Sequence, residues 1–179
     1  MKLRVRHSEE ADLGAILSIH KKAFGRDAES NLVKGILASS QRDQELSLIA
    51  CRENEPDEPD EPDELVGHIL LSRVRLSDST SEKVLALAPL AVLPAVQKKG
   101  IGSALVKASI NLANDLGFAA IIVLGDGDYY GRFGFEVSSI FGIFPPFEVE
   151  EENFRLKRLA SFDKTLKGTV IYPEIFNSV

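Results

Sequence analysis

The sequence predicts a single-domain mixed α/β (α+β) fold, a sheet with helices on its faces. Three observations predict it. A length of 179 residues suits one domain and would cramp two of ordinary size. Apolar residues make up 44% and charged residues 27%, enough for a packed core and unlike a collagen-like, mucin-like or wholly disordered chain. Strand-like and helix-like periodicities alternate along the chain, with no internal repeat.

Each element follows from its own pattern. Leu3 and Val5 alternate with Arg4 and Arg6, which predicts a half-buried strand. Ser8 then offers a helix N-cap, with Glu9, Glu10 and Asp12 suited to the positive end of the helix dipole. Leu13, Ile16, Leu17, Ile19, His20 and Phe24 line one helical face, and Gly25 is its stop. A second helix runs over 28–38 through Leu32, Val33, Ile36 and Leu37. Residues 46–51 and 65–76 form strands on either side of three Glu-Pro-Asp repeats, Glu55 to Asp63. Proline cannot donate to a ladder and like charges repel, so 53–64 is an acidic, Pro-rich loop insertion rather than a domain linker. The apolar run Val84 to Val92 is predicted to be a central strand buried on both faces. A helix from Gly100 to Gly117 carries Ile101, Ala104, Leu105, Ala108, Leu112 and Leu116 on one side. Another buried strand covers 119–124, Gly125-Asp126-Gly127-Asp128 turns the chain, and 129–133 is a short helix. Phe135 opens a strand, and 168–172 is the last.

Charge excludes several classes of partner. The net charge is −6, but the eight acids of residues 53–64 supply it; with these set aside, 21 bases face 19 acids. Broad nucleic-acid binding is not expected from so balanced a body. The longest apolar run contains Pro89 and Pro94 and falls short of a membrane span. The N-terminus lacks the apolar core of a signal peptide, and Cys51 has no disulfide partner, so the reading is a cytoplasmic protein. Three scattered histidines, one cysteine and proline-separated carboxylates predict no metal site.

The segment Leu90-Ala91-Val92 ends a buried strand, and Gln97-Lys98-Lys99-Gly100-Ile101-Gly102-Ser103 leads into a helix. Unpaired amides and the positive dipole end make such a place suited to a phosphate or pyrophosphate, and glycine lets the backbone approach it. The bland alternative is a helix start with glycines for close packing. The sequence lacks the lysine of a P-loop and the third glycine of a dinucleotide fingerprint. No Gly-x-Ser-x-Gly elbow occurs, and Cys51 lies in an apolar strand, so no covalent acyl-enzyme is predicted.

Gln97-Lys98-Lys99-Gly100-Ile101-Gly102 resembles the acetyl-CoA loop of the GNAT N-acetyltransferases, Gln or Arg-x-x-Gly-x-Gly or Ala. Tyr129-Tyr130-Gly131-Arg132-Phe133-Gly134-Phe135 resembles that family's later aromatic-Tyr signature. Val66-Gly67-His68-Ile69 and Lys167 to Pro173 also resemble the bacterial predicted N-acetyltransferase subgroup, so the likeness covers about 2–175. It implies a mostly antiparallel sheet flanked by helices, with a splayed central strand pair. It implies acetyl-CoA as co-substrate and a small-molecule or peptide amine as acceptor, joined by direct transfer in a ternary complex. The backbone of Leu90, Ala91 and Val92 would pair with the pantetheine arm, and Gln97 to Ser103 would hold the pyrophosphate. Tyr130 would protonate the departing thiolate, with Tyr129 the competing phenol. Relatives place a glutamate on the central strand, where Ala86, Leu87 and Ala88 stand here. His68 is therefore the nominated base, and Glu29 the candidate for binding the amine. His7 and His20 are taken as structural or surface residues. Relatives also carry an Asn where Gly125 to Asp128 stand. A homodimer through the segment Phe144 to Phe154 is compatible with its Pro, Phe and Glu content. The rival readings are a non-catalytic acyl-CoA-binding or protein-interaction module and a phosphate-loop nucleotide enzyme.

Overall fold

A computed structural model describes residues 2–39, 44–53 and 63–178. The prolines of the acidic tract, and so the expected loop insertion, lie outside the described residues. The fold is mixed α/β, with a mostly antiparallel sheet flanked by helices. Its contacts fall into two compact units. One comprises Met1–Leu70, Pro89–Ser109 and Asn177–Val179, and the other Leu71–Ala88 and Ile110–Phe176.

In the first unit, strand β1 (Leu3–His7) is antiparallel to β2 (Ser47–Arg52), which pairs antiparallel with the start of β3 (Glu64–Leu76). Ser47 to Cys51 are all buried, which explains a near-continuous apolar strand rather than an alternating one. Helix α1 (Leu13–Phe24) buries Ile16, Ile19 and His20, and α2 (Ala28–Ala38) buries Leu32, Val33 and Ile36. Each such aliphatic side chain contributes about 1.5–3 kcal/mol by leaving water. Gly25 ends α1 in the left-handed conformation and donates to the Lys21 carbonyl at 2.9 Å. The start of α1 differs from expectation. Glu9, not Ser8, caps a turn of 3-10 helix at Glu10–Asp12 through a reciprocal capping box, and α1 begins only at Leu13. The Ser8 hydroxyl is engaged elsewhere, donating to Ser47 Oγ at 2.6 Å.

The second unit centres on a three-residue parallel ladder between β4 (Ser79–Val92) and β5 (Ala120–Leu124), which stops at Ala86 opposite Ile122. Strand β8 (Phe154–Arg158) lies antiparallel along all of β5, and β6 (Glu136–Val137) adds to its other edge. Strand β9 (Gly168–Ile171) pairs with the end of β3 and, in parallel, with β7 (Ile143–Phe144). Val84, Ala120, Ile122, Phe154, Leu156 and Val170 form the buried core here. Neither β7 nor β8 was expected; the chain from 138 to 167 reads in sequence as an irregular tail.

Helix α3 (Ile101–Asp115) starts in the first unit and ends in the second. Its first turn sits directly on β3. A Cβ built at Gly67 would stand 3.0 Å from Leu105 Cδ1, 3.1 Å from Ile101 Cγ2 and 3.2 Å from the Ala91 carbonyl oxygen. The missing side chain therefore sets how closely the loop before α3 approaches the strand.

Candidate functional site

The loop between β4 and α3 is built by local rules. Leu93 leaves the strand while still donating to the Val66 carbonyl at 2.9 Å, and Pro94–Val96 make one 3-10 turn. The Gln97 side chain folds back, Nε2 donating to the Val92 carbonyl at 3.1 Å, which ties the loop to the strand end. Lys98 then adopts φ +61°, the one non-glycine residue with positive φ among the described residues, and Gly100 adopts φ +85°. Two left-handed residues flanking Lys99 are the kind of backbone alternation from which anion nests are built. Among the described residues, no backbone carbonyl accepts from the amides of residues 98–103; the first to be paired is Ala104, which donates to Gly100 at 3.0 Å. Residues 97–100 are exposed, while Ile101 and Leu105 anchor the turn in the core. Gly102 and Ser103 are half-buried at the helix start. The loop thus presents six unpaired N–H groups and two lysines at the positive end of a 15-residue helix. Of the strand residues before it, Ala91 is buried and Leu90 and Val92 are half-buried.

His68 lies elsewhere in the same unit, fully buried in β3 opposite Ile49. Both ring nitrogens are engaged: Nδ1 is 2.8 Å from His20 Nε2, and Nε2 is 3.0 Å from Ser47 Oγ. With Ser8 donating to Ser47, the hydroxyls and rings form one chain, Ser8–Ser47–His68–His20, ending at His20 Nδ1, which is buried without a partner. The sequence offered His20 as structural or surface; the structure makes it His68's ring partner, stacked on Phe24. Burial lowers both imidazole pKa values, His20 to about 4 against the pull of Glu29, and His68 well below its ordinary value, aided by His20 and opposed by Asp12. Both rings are therefore neutral at pH 7.

A stability profile follows. The unfolded imidazoles bind protons below about pH 6.5, whereas the folded ones resist, so the unfolded state binds more protons and stability falls as pH drops from 6.5 toward 4. His20 alone makes this loss about 3 kcal/mol at pH 4. Denaturant titrations at pH 7.5, 5.5 and 4.5 measure it; a flat profile would contradict the neutral buried pair.

Glu29, in the first turn of α2, is buried and already gripped by Arg26, whose Nε lies 3.1 Å from both carboxylate oxygens. That hydrogen bond lowers its pKa, so the carboxylate is charged but not free. Cys51 is buried, and its thiol pKa is raised by burial, as suits an inert side chain.

In the second unit, Asp126 caps helix α4 (Gly127–Gly131), its carboxylate accepting from the Tyr129 amide at 2.9 Å. That cap fixes Tyr130, whose ring packs edge-on to Tyr129 and Phe135, with centroids 5.0 and 5.5 Å away. A Cβ at Gly125 would lie 2.5 Å from Tyr130 Cε2, so the glycine admits the ring. Burial, and next the neighbouring Tyr129 phenol, push the pKa of Tyr130 upward and keep its proton in place. Beside it is a cavity of about 600 Å³ whose lining includes Asp126, Asp128, Val149, Glu152 and Arg155. Arg155 was missed in sequence with its strand. It donates to the carbonyls of Glu152 at 2.7 Å and Phe135 at 3.1 Å, fixing the wall of that cavity. Among the described residues no three metal-ligating side chains are grouped, and no helix is long and apolar enough to cross a membrane.

Comparison with known proteins adds independent findings. The family model described as the acetyltransferase (GNAT) family matches residues 15–135. The uncharacterized N-acetyltransferase YjhQ of Escherichia coli K12 is 30% identical over 168 residues, covering 91% of this chain and 88% of that protein. The uncharacterized N-acetyltransferase YhbS of the same strain is 30% identical over 170 residues, 93% of each. The crystal structure of E. coli YhbS in complex with CoA matches with a TM-score of 0.84 at 27% identity, covering 99% of this chain and 93% of that one. A Brucella melitensis GNAT family acetyltransferase, solved with acetyl-CoA, shares the fold at 24% identity and a TM-score of 0.75, covering 98% of both chains.

Proposed function

Because the chain belongs to the acetyltransferase (GNAT) family, we propose that it moves an acetyl group from acetyl-CoA directly to a primary amine, in a ternary complex. The carrying observation is the run of unpaired amides from 98 to 103 ahead of α3. The CoA-bound relative at 27% identity supports reading that run as a diphosphate cradle. Lys98 and Lys99 add charge of the required sign, Gln97 holds the loop closed, and the backbone of Leu90, Ala91 and Val92 takes the amide-rich pantetheine as an added strand.

The chemistry then divides among few groups. The neutral amine attacks the thioester carbonyl, the new C–N bond forms, and the C–S bond breaks. Tyr130 supplies its proton to the departing sulfur. The amine's surplus proton leaves along the Ser8–Ser47–His68–His20 chain, passed on by His68 rather than held there, because burial keeps that imidazole neutral at pH 7. His68 is thus a relay in this reading. His68→Gln is expected to lower kcat/KM at pH 7 about 100-fold and to remove the acid limb of its pH profile, with CoA affinity retained. A variant whose activity merely follows its folded fraction would leave His68 a structural residue. The inert Cys51 favours direct transfer.

The acceptor is placed, in this proposal, in the cavity lined by Asp126, Asp128 and Glu152, whose carboxylates suit an ammonium group. Glu29 is a second contact only if the amine displaces Arg26. A panel of amines, followed by thiol release from acetyl-CoA, tests the whole reading: CoA binding without release from any amine would refute transfer. For an amine that reacts, Asp128→Asn is expected to raise KM about tenfold while CoA affinity stays unchanged.

A further inference from the structure

A second cavity, of about 970 Å³, is lined wholly by residues of the second unit. In the β5–β8 ladder, Phe154 faces Leu124 at the end of β5, whereas Arg158 faces Ala120 at its start. The cavity near Gly125 to Asp128 lies at the former end. The second lies at the latter, and the two share no lining residue.

Its walls are cationic: Lys157, Arg158, Lys164 and Lys167 converge on it, with Glu136 the one carboxylate in the lining. Glu136 is paired with Arg158 at 3.0 Å. Glu151, at the rim, accepts from the lining residue Ser139, and Asp163 turns its carboxylate to the Thr165 amide at 2.8 Å. Among the described residues the three lysines have no carboxylate within ion-pair distance. Like charges gathered at one concavity repel, and an anion relieves that repulsion.

The floor is aromatic. Phe141 and Phe162 meet edge to face with centroids 5.7 Å apart, and the Arg158 guanidinium lies 5.0 Å from the Phe141 ring. The frame is fixed by glycines. Gly142, at φ +70°, closes the turn that carries Phe141, and the Lys157 ammonium lies 2.7 Å from where a Cβ at Gly134 would stand. We propose that this cavity is a second binding site, for a small organic anion carrying a phosphate or carboxylate on an aromatic body. Such a ligand would stack on the phenylalanines and place its charge among the lysines. The proposal does not depend on the acetyl-transfer reading.

The test uses the full chain with CoA at saturation, so that the loop before α3 is occupied. Fluorescence titration with 1-naphthyl phosphate is expected to give one saturable site, at least tenfold tighter than inorganic phosphate or 1-naphthol alone. 2-Naphthoate separates phosphate from carboxylate recognition by its rank against the phosphate ester. The triple substitution Lys157→Gln, Lys164→Gln, Lys167→Gln is expected to weaken the probe about 30-fold, roughly threefold per lysine. Because the lysines repel one another and among the described residues have no carboxylate partner, its melting temperature should be equal to or above that of the parent chain. No saturable binding at millimolar probe, binding abolished by CoA, or undiminished binding to the triple variant would each overturn the proposal.

Discussion

Tyr130→Phe is expected to lower kcat at least 100-fold and to leave the Kd for CoA within about twofold. The thiolate of CoA is a charged leaving group as the C–S bond breaks, and a phenol that holds its proton throughout the working pH range can neutralise it. Burial and Tyr129 keep the Tyr130 proton in place. Phenylalanine preserves the ring that packs on Phe135 and fits against Gly125, so folding should survive the loss of one hydroxyl. Thiol release and CoA titration on the same preparation separate the two quantities. An unchanged kcat would move the acid elsewhere, with Tyr129 next to be tried.

The second large effect is on the cofactor. Gly100→Val is expected to raise the Kd for CoA roughly 10- to 100-fold, because φ +85° disfavours a branched residue by about 1–3 kcal/mol and relaxing it would turn the amides away. Nothing lies within 4 Å of the Cβ position, so no clash in the free protein confuses the outcome. Gly117, at φ +77° beyond the other end of α3, supplies the control. Gly117→Val should suffer a similar backbone penalty, seen as a lower melting temperature, with CoA affinity unaltered. Equal losses of affinity in the two variants would mean that stability alone was being read.

Much of the fold was legible because its elements announce themselves locally. The apolar run at 84–92, the helix that starts at Ile101 and the glycine that ends α1 rest on periodicity and on single residues whose conformational preferences are strong. The loop from Gln97 to Ser103 was legible for the same reason. Strand β8 was not, although Phe154 and Leu156 alternate with Arg155 and Lys157, because five residues within a Pro- and Glu-rich stretch give too short a pattern. Missing β8 meant missing Arg155 and with it one wall of the cavity beside Tyr130. Ser8 looked like a cap because Ser before acidic residues usually is one; its actual partner, Ser47, is 39 positions away. The pairing of His68 with His20 spans 48 positions and has no local signature at all. Such long-range polar matches are decided by the packing of α1 against β3, which no window of sequence contains.

Two strands and one helix, β3, β4 and α3, each begin in one compact unit and finish in the other. The first unit is therefore assembled from three separated stretches of polypeptide, and the second from two. Any single scission between residues 71 and 176 parts both units, since each has segments on either side of it, whereas a cut at either of those boundaries parts the first alone. Recombination cannot shuffle such halves as modules. Neither unit can be excised as a continuous stretch without carrying part of the other with it.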